Sequence, residues 1–150
     1  MKLRLLWIAP KSRSKEPAYD SLTREYVSRI AKYQPIEAAP LLDEDALLKL
    51  LERSTARTIP VLVLLDGRGK EMSSERFAEF IDSQLASGVQ QFIFAVGPAN
   101  GFSDAVRHAA NVTISLGKMT LPHELARVVL LEQIYRAFTI LRKHPYHRGH

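Results

Sequence analysis

The apolar stretch IPVLVLL, residues 59–65, decides how the rest of the chain can fold. It carries no charged or hydrogen-bonding side chain, which is typical of a central parallel strand that is covered on both faces. Apolar runs of strand length alternate with segments of helical period on either side of it, and no Gly/Ser linker divides them. The sequence therefore predicts a single α/β domain over residues 1–150, with a mainly parallel sheet and helices on both faces.

The remaining elements follow from the same patterns. We predict further strands at residues 2–9, 36–40, 91–96 and 112–115. Helices are predicted at residues 17–32, after a cap at Asp43, from a cap at Ser73 to Gly88, near Ser103, and from Pro122 to about Leu141. Residues 66–70 are predicted to form a turn. Inward-facing side chains are expected at Leu22, Tyr26 and Ile30, at Leu47, Leu48, Leu50 and Leu51, and at Phe77, Phe80, Ile81 and Leu85.

Composition excludes several classes of protein. The 150 residues are 46% apolar and 25% charged, as in an average soluble domain. With no cysteine, the chain cannot hold a disulfide scaffold, a zinc ribbon or an iron–sulfur cluster. Arg4 and Pro10 interrupt the N-terminal apolar run, and no run reaches the roughly 18–20 residues that span a bilayer. We expect a soluble, cytoplasmic protein without a membrane partner.

Positive charge is concentrated at the C-terminus. The net charge is +5, and no acidic residue follows Glu132, whereas Arg136, Arg142, Lys143 and Arg148 do. A basic tail that also carries Tyr146 has what phosphate contact and base stacking require. A solvated terminal extension is the alternative interpretation.

Three loops follow strands at the edge where ligands bind in parallel sheets. They comprise residues 65–70, 97–101 and 116–121, and each contains at least one glycine that lets main chain approach a ligand. Neither a GxGxxG nor a GxxxxGK[ST] motif is present, which disfavours dinucleotide and nucleoside-triphosphate sites.

The last helix is apolar on nearly all sides, so both of its sides need cover. A second copy of the chain in a twofold homodimer is one solution, with Leu130 or Ile134 as partner-facing positions. Deep burial within the monomer is the other. Glu132 and Arg136 are spaced to pair on the remaining polar strip.

Two segments carry a family resemblance: LDGRGKEMSSERFAEFI at residues 65–81 and SLGKMTLPHELARVVLLEQIYRAFTILRKHPYHRGH at residues 115–150. Together with KLRLLWIAP at residues 2–10, they resemble the RlmH family of SPOUT methyltransferases, which methylate N3 of a pseudouridine in large-subunit (23S) ribosomal RNA. The resemblance implies a homodimer, a C-terminal trefoil knot and S-adenosylmethionine (SAM) as cofactor.

The resemblance also implies where the cofactor binds. Its site would comprise Leu65, Gly97, Leu116, Gly117, Lys118, Met119, Thr120 and Leu121. Pro98 departs from the family's usual Gly-Gly pair and removes an amide donor. A valine at Gly97 is expected to fill the adenosine's space while the protein stays folded.

Methyl transfer to N3 also requires loss of a proton. Candidates for its acceptor are Glu124, His144 and His147, and bulk water is an alternative. His123 is interpreted as a structural residue, and the His144/His147 pair lacks further ligands for a metal.

We expect RNA contacts from Arg142, Tyr146, His147 and Arg148, or else from the N-terminal surface around Lys11, Arg13 and Lys15. Two other functions stay open at this point. They are a SPOUT enzyme acting on another RNA such as tRNA, and a non-enzymatic RNA-binding ribosome-assembly factor.

Overall fold

The computed structural model describes residues 1–9, 16–54, 58–98 and 100–148, and within them a five-stranded sheet forms the centre of the molecule. Its strands are β1 (Lys2–Ile8), β2 (Ile36–Leu41), β3 (Val61–Glu71), β4 (Gln91–Val96) and β5 (Val112–Ser115). They lie in the order β2-β1-β4-β3-β5, and the paired strands are parallel. The predicted parallel α/β fold is confirmed.

In the part of the chain that the structure describes, five helices cover the two faces of this sheet: α1 (Pro17–Ala31), α2 (Glu44–Glu52), α3 (Ser74–Ala86), α4 (Asp104–Ala109) and α5 (His123–Leu141). Helices α1, α3 and α5 share the larger apolar core with one face of the sheet. Helices α2 and α4 share a smaller core with the other face. Phe77 of α3 packs on Phe94 of β4, with ring centroids 5.9 Å apart. Helices on both faces were predicted and are confirmed.

Capping side chains fix where the helices begin. Asp43 Oδ1 accepts from the amide of Ala46 at 2.9 Å, and Ser73 Oγ accepts from that of Arg76 at 3.1 Å. These contacts satisfy amides that have no partner within the first helical turn. The caps predicted at Asp43 and Ser73 are confirmed, as are the helix predicted near Ser103 and the start of the last helix at Pro122.

The segment after Leu65 differs from the prediction. Strand β3 begins at Val61, leaving Ile59 65% exposed beyond Pro60, and it continues to Glu71 instead of turning at residue 66. Leu65 and Lys70 both pair with Ile114, so residues 66–69 form a bulge within the strand. Glycine after an apolar run is equally compatible with a turn and with a bulge, which is why the sequence misled.

The bulge brings two backbone segments into direct contact. A Cβ on Gly69 would lie 2.6 Å from the carbonyl carbon of Ile114 and 2.7 Å from that of Thr113. Only a residue without a side chain fits there. The trefoil knot that the resemblance implies for this region stays a prediction.

The inward face of α1 differs from the predicted face at its first position. Leu22 is 42% exposed, whereas Thr23 is buried. The Thr23 hydroxyl donates to the carbonyl of Tyr19 at 2.8 Å, so its burial leaves no polar group unsatisfied. The prediction for Leu22 is therefore wrong, and Ile30, which is fully buried, was placed correctly.

Helix α5 lies between α1 and α3, and this position decides which of its side chains are covered. Leu130 and Ile134 are 1% and 0% exposed within the single chain. The prediction that one of them faces a partner is therefore wrong. The half-buried positions of the helix include Leu125, Val129 and Gln133.

No helix in the described part of the chain combines the length and apolarity needed to cross a membrane.

Replacing Gly69 by alanine should destabilise the fold by about 1–3 kcal/mol or more, because the new methyl group overlaps backbone that cannot move freely. Gly67→Ala in the same bulge is the matched control, since a Cβ there meets no atom within 4 Å. Urea unfolding of both variants measures the difference. Equal stabilities of the two variants would contradict the close contact between Gly69 and the backbone of β5.

Candidate functional site

A cleft of about 310 Å³ opens at the bulge of β3, beside the carboxyl ends of β4 and β5 and the start of α5. Its volume is at the lower end of the range for small-molecule sites, roughly 300–1,000 Å³. Every residue predicted to bind the cofactor lines this cleft: Leu65, Gly97, Leu116, Gly117, Lys118, Met119, Thr120 and Leu121. The structure thus brings the three predicted loops together, and their role in binding stays a prediction.

Local hydrogen bonds shape two of the loops. Ser115 Oγ, at the end of β5, accepts from the amide of Gly117 at 3.1 Å and donates to the same residue's carbonyl at 2.9 Å. This closed contact turns the chain sharply, with Gly117 at φ 140°, a conformation that side chains disfavour. In the loop after β4, the amide of Gly101 donates to the carbonyl of Pro98 at 2.9 Å.

An ion pair fixes the bulge at one wall of the cleft. Asp66, 8% exposed, accepts from the backbone amide of Arg68 at 2.9 Å and from its Nε and Nη2 at 3.1 and 2.9 Å. Arg68 Nη2 also donates to the carbonyl of Phe102 at 3.4 Å. The hydrogen bonds from Arg68 hold the pKa of Asp66 at about 2, below its usual 3.8. The pair therefore joins the bulge to the loop before α4.

Gly97 faces away from the open part of the cleft. A Cβ on this residue would lie 2.8–3.0 Å from the ring of Phe102, which is 4% exposed. A valine at this position would displace that ring, so the expectation that it fills cofactor space in an intact fold is wrong. By contrast, a Cβ on Gly67 or Gly117 would meet nothing within 4 Å.

The cleft has the chemical character that SAM needs. Its apolar wall includes Val96, Leu121 and Ala126, against which a purine ring can pack. Exposed main chain at Gly67 and Gly117 can approach a ligand closely. Charged side chains of both signs are present for an amino-acid moiety, because Asp66, Arg68 and Lys118 all line the cleft. These residues fit the proposed cofactor.

The three candidate proton acceptors lie elsewhere. Among the described residues, the cleft lining includes His123 but not Glu124, His144 or His147. Glu124 is in the first turn of α5. The amide of Tyr146 donates to His144 Nδ1 at 3.1 Å, which places His144 in a local turn of the tail. Glu124 thus lies beside the cleft, between the lining residues His123 and Ala126, whereas His144 and His147 belong to the tail.

The tail folds back along α5. The backbone reverses at Lys143, which has φ 58°, and the amide of His144 donates to the carbonyl of Thr139 at 2.8 Å. Tyr146 then packs edge-on against Tyr135, with centroids 4.8 Å apart, and its hydroxyl donates to Glu132 at 3.2 Å. Burial and the nearby Glu132 carboxylate raise the pKa of Tyr146 to about 12.

His147 joins the tail to two helices. Its Nε2 lies 2.6 Å from Glu75 Oε1 of α3, and Arg136 Nη1 of α5 lies 2.9 Å from its Nδ1. Arg136 also pairs with Glu132 at 2.7 Å, as its spacing predicted. Arg142 and Arg148 are exposed. Through residue 148 the tail is therefore folded against the domain rather than a solvated extension. Lys11, Arg13 and Lys15 lie outside the described residues.

Sequence reasoning missed several residues of the cleft. It named the loop that holds Asp66 and Arg68 but not their ion pair, and it did not include Ser115 or Ala126. His123 was interpreted as structural, yet it lines the cleft. The available signal was position alone, because each of these residues lies in or next to the bulge of β3, at the end of β5 or in the first turn of α5.

The described residues contain no group of three or more His, Cys, Asp or Glu side chains placed to hold a metal ion.

The low pKa of Asp66 predicts a pH dependence of stability. A carboxylate with a lowered pKa stabilises the fold above its unfolded pKa of 3.8, and this contribution is lost as the pH falls through about 2. Asp66→Asn should lower the free energy of unfolding by about 1–2 kcal/mol at pH 6. This is less than the pKa shift alone implies, because Arg68 is 56% exposed and solvent screens the ion pair. Unfolding both proteins between pH 6 and pH 2 should show the difference shrinking below pH 4. A difference that is constant with pH would contradict the pairing.

Known proteins resemble this chain over its full length. The ribosomal RNA large subunit methyltransferase H of Koribacter versatilis (strain Ellin345) is 51% identical over 150 residues, which cover 100% of both chains. The protein of the same name from Geotalea uraniireducens (strain Rf4) is 40% identical over 160 residues, covering 98% of this chain and 99% of that one.

A solved structure shares the fold. The SpoU methyltransferase AviRb from Streptomyces viridochromogenes, in complex with the cofactor AdoMet, superposes with a TM-score of 0.56 at 21% identity. The match covers 90% of this chain and 57% of that one, so the chain spans little more than half of AviRb. Residues 1–147 also match the family described as "Predicted SPOUT methyltransferase". The chain therefore belongs to the SPOUT methyltransferase family.

Proposed function

We propose that this protein uses SAM to methylate N3 of a pseudouridine in large-subunit ribosomal RNA. The observation that carries the proposal is the convergence of three backbone loops on one cleft whose lining contains every residue implied for the cofactor. The names of its full-length relatives support ribosomal RNA as substrate over tRNA. Such a substrate places the reaction in the cytoplasm.

When bound, SAM supplies an electrophilic methyl group, so the chain's task is alignment rather than covalent chemistry. The loops at residues 97–101 and 116–121 would hold the nucleoside part through main-chain groups. Asp66 and Arg68 would keep the bulge in place beneath it, since their hydrogen bonds fix its backbone. Lys118 would lie near the entrance, together with Met119, which is 86% exposed.

In this proposal the proton from N3 goes either to a tail histidine or to solvent water. Glu124, His144 and His147 do not line the cleft of their own described chain, so a tail histidine would act from a second copy. Solvent water is the other acceptor. The cleft lining itself then needs no proton acceptor. His123, which lines the cleft, is available as a hydrogen-bonding group.

A homodimer is part of the proposal. Next to the half-buried Val129 and Gln133 of α5, a second cavity of about 300 Å³ is lined by Met72 and Phe77. It shares Ser115 and Leu116 with the cofactor cleft. Leu116 and Met119 expose apolar surface at its end. A second copy that covers this strip would bury apolar surface beside the cleft.

The tail would position the RNA. Arg142 and Arg148 are exposed and suited to phosphate contact, whereas Tyr146 and His147 are held by α5 and α3. Tyr146 is half-buried, so its remaining ring surface is the part that a base or ribose could contact.

Cofactor binding is tested by Ala126→Phe, which should fill the cleft from α5 without straining the helix. We expect calorimetry to show affinity for S-adenosylhomocysteine at least roughly 100-fold weaker, because the ring occupies the ligand's space. Ala86→Phe, at an exposed position of α3, is the control.

Mass mapping of ribosomal RNA from cells lacking the gene should show loss of one methyl group on a pseudouridine. The proposal would be contradicted if the pseudouridine is unmethylated in parent cells, or if the parent and the Ala126→Phe variant bind S-adenosylhomocysteine equally.

Dimerisation is tested by Val129→Glu, which adds a charge to the proposed contact strip. Sedimentation should show the parent as a dimer at micromolar concentration and the variant as a folded monomer, because a buried carboxylate is costly. Leu42→Glu, at a position 54% exposed on the other side of the sheet, should leave the dimer intact. A monomeric parent would refute the dimer.

The tail is tested by the double replacement of Arg142 and Arg148 with alanine. The log–log salt dependence of RNA binding should fall by about two units of slope, one for each lost phosphate contact. Deleting residues 145–150 should reduce methylation by orders of magnitude while cofactor affinity is nearly kept. Parent-level methylation by the deletion variant would exclude the tail as the RNA site.

A further inference from the structure

Arg127 is a buried charge that the proposed chemistry does not use. The residue is 2% exposed. Its guanidinium carbon lies 4.2 Å from the centroid of the Trp7 ring, and its Nη2 lies 3.2 Å from Asp20 Oδ1. Its Nε is buried without a hydrogen-bond partner among the described residues. Such an arrangement is costly and calls for a physical reason.

The side chain links three elements directly behind the cleft. Arg127 follows Ala126 on α5, and Ala126 lines the cleft. Trp7 is on β1 and is paired in register with Val96 of β4, another lining residue. Asp20 belongs to the first turn of α1. One guanidinium therefore joins the start of α5 to the strand that neighbours the cleft wall.

Stability alone does not account for this arginine. Burial lowers the pKa of its guanidinium, opposed by the charges of Asp20 and Glu124, so the environment disfavours the charged form. Its partner Asp20 is 48% exposed, so solvent screens the ion pair and the pair contributes little net stability. Compared with an apolar side chain, the arginine restricts how its helix can be oriented. A flat guanidinium that stacks on an indole and pairs with a carboxylate allows few orientations.

We propose that Arg127 is a positioning residue: it sets the orientation of the first turns of α5 against the end of β4, and thereby the shape of the SAM cleft. The inference rests on the proposed function, since it concerns the same site. Arg127 contacts neither substrate nor cofactor in this role. It acts through Ala126 on its own helix and through Trp7 on Val96.

The test uses Arg127→Met, which keeps the length and apolar packing but removes the charge and the planar group. We expect a melting temperature close to that of the parent, because Asp20 is 48% exposed and stays hydrated without its partner, together with S-adenosylhomocysteine binding weakened about tenfold or more. The KM for SAM should rise accordingly, whereas kcat at saturating SAM should change less. Arg127→Lys should recover part of the affinity, because an ammonium can still pair with Asp20 but cannot stack flat.

Arg4→Met is the matched control. Arg4 is a partly buried arginine on the amino-terminal half of β1, and its Nη2 donates to Glu37 Oε1 at 3.3 Å. This variant makes the same chemical change on the same sheet but away from the cleft. It should bind S-adenosylhomocysteine like the parent.

Each other outcome overturns the inference. If Arg127→Met binds the ligand like the parent, the arginine does not position the cleft. If the variant loses stability in step with affinity, or fails to fold, the arginine is a structural residue. If the parent itself does not bind S-adenosylhomocysteine, the proposed function fails first and the inference falls with it. Parent binding therefore separates the two failures.

Discussion

The contact between the bulge of β3 and the backbone of β5 is the constraint on which the site depends. Gly69 lies so close to Thr113 and Ile114 that no side chain fits between them. Because β3 leaves its register with Ile114 at Leu65 and regains it at Lys70, the intervening residues project as a bulge at the carboxyl edge. Asp66 and Arg68 occupy that bulge and line the cleft. A bulge of another length would place neither residue there.

The cleft depends on main chain more than on side chains. Its loops turn at Gly101 and Gly117, where φ is positive, and Ser115 closes the second turn with both of its hydrogen bonds. Main-chain amides and carbonyls have fixed positions once their loops are closed, so they can recognise a ligand without losing side-chain freedom. The ion pair of Asp66 with Arg68 fixes the bulge at one wall of the cleft and joins it to Phe102.

Local signals explain what the sequence could predict. Strand β4 and the caps at Asp43 and Ser73 follow from apolar runs and side-chain chemistry within a few residues. The cleft was located because loops after parallel strands meet at one edge, which depends only on the order of elements. That argument found the three loops, and the family resemblance named the eight residues within them. Neither found His123 or Ala126 as lining residues, because both belong to a helix.

Long-range contacts explain what the sequence could not predict. A helix apolar on nearly all sides has no preferred face, so nothing local showed that Leu130 and Ile134 would be covered by its own chain. The bulge could not be told from a turn without its pairing partner at Ile114. Burial of Thr23 depends on its hydroxyl bond to Tyr19, which a hydropathy pattern does not represent.

The geometry of α5 separates the two halves of the proposed reaction. The cleft lies at Ala126, whereas the tail returns only as far as Glu132 and Arg136. Even the six residues of helix from Ala126 to Glu132 span about 9 Å, more than a hydrogen bond or a proton transfer can bridge. A twofold axis beside Val129 would reverse one α5 against the other and bring each tail toward the opposite cleft. In the proposed dimer the two sites would therefore be completed together, because a twofold contact is reciprocal.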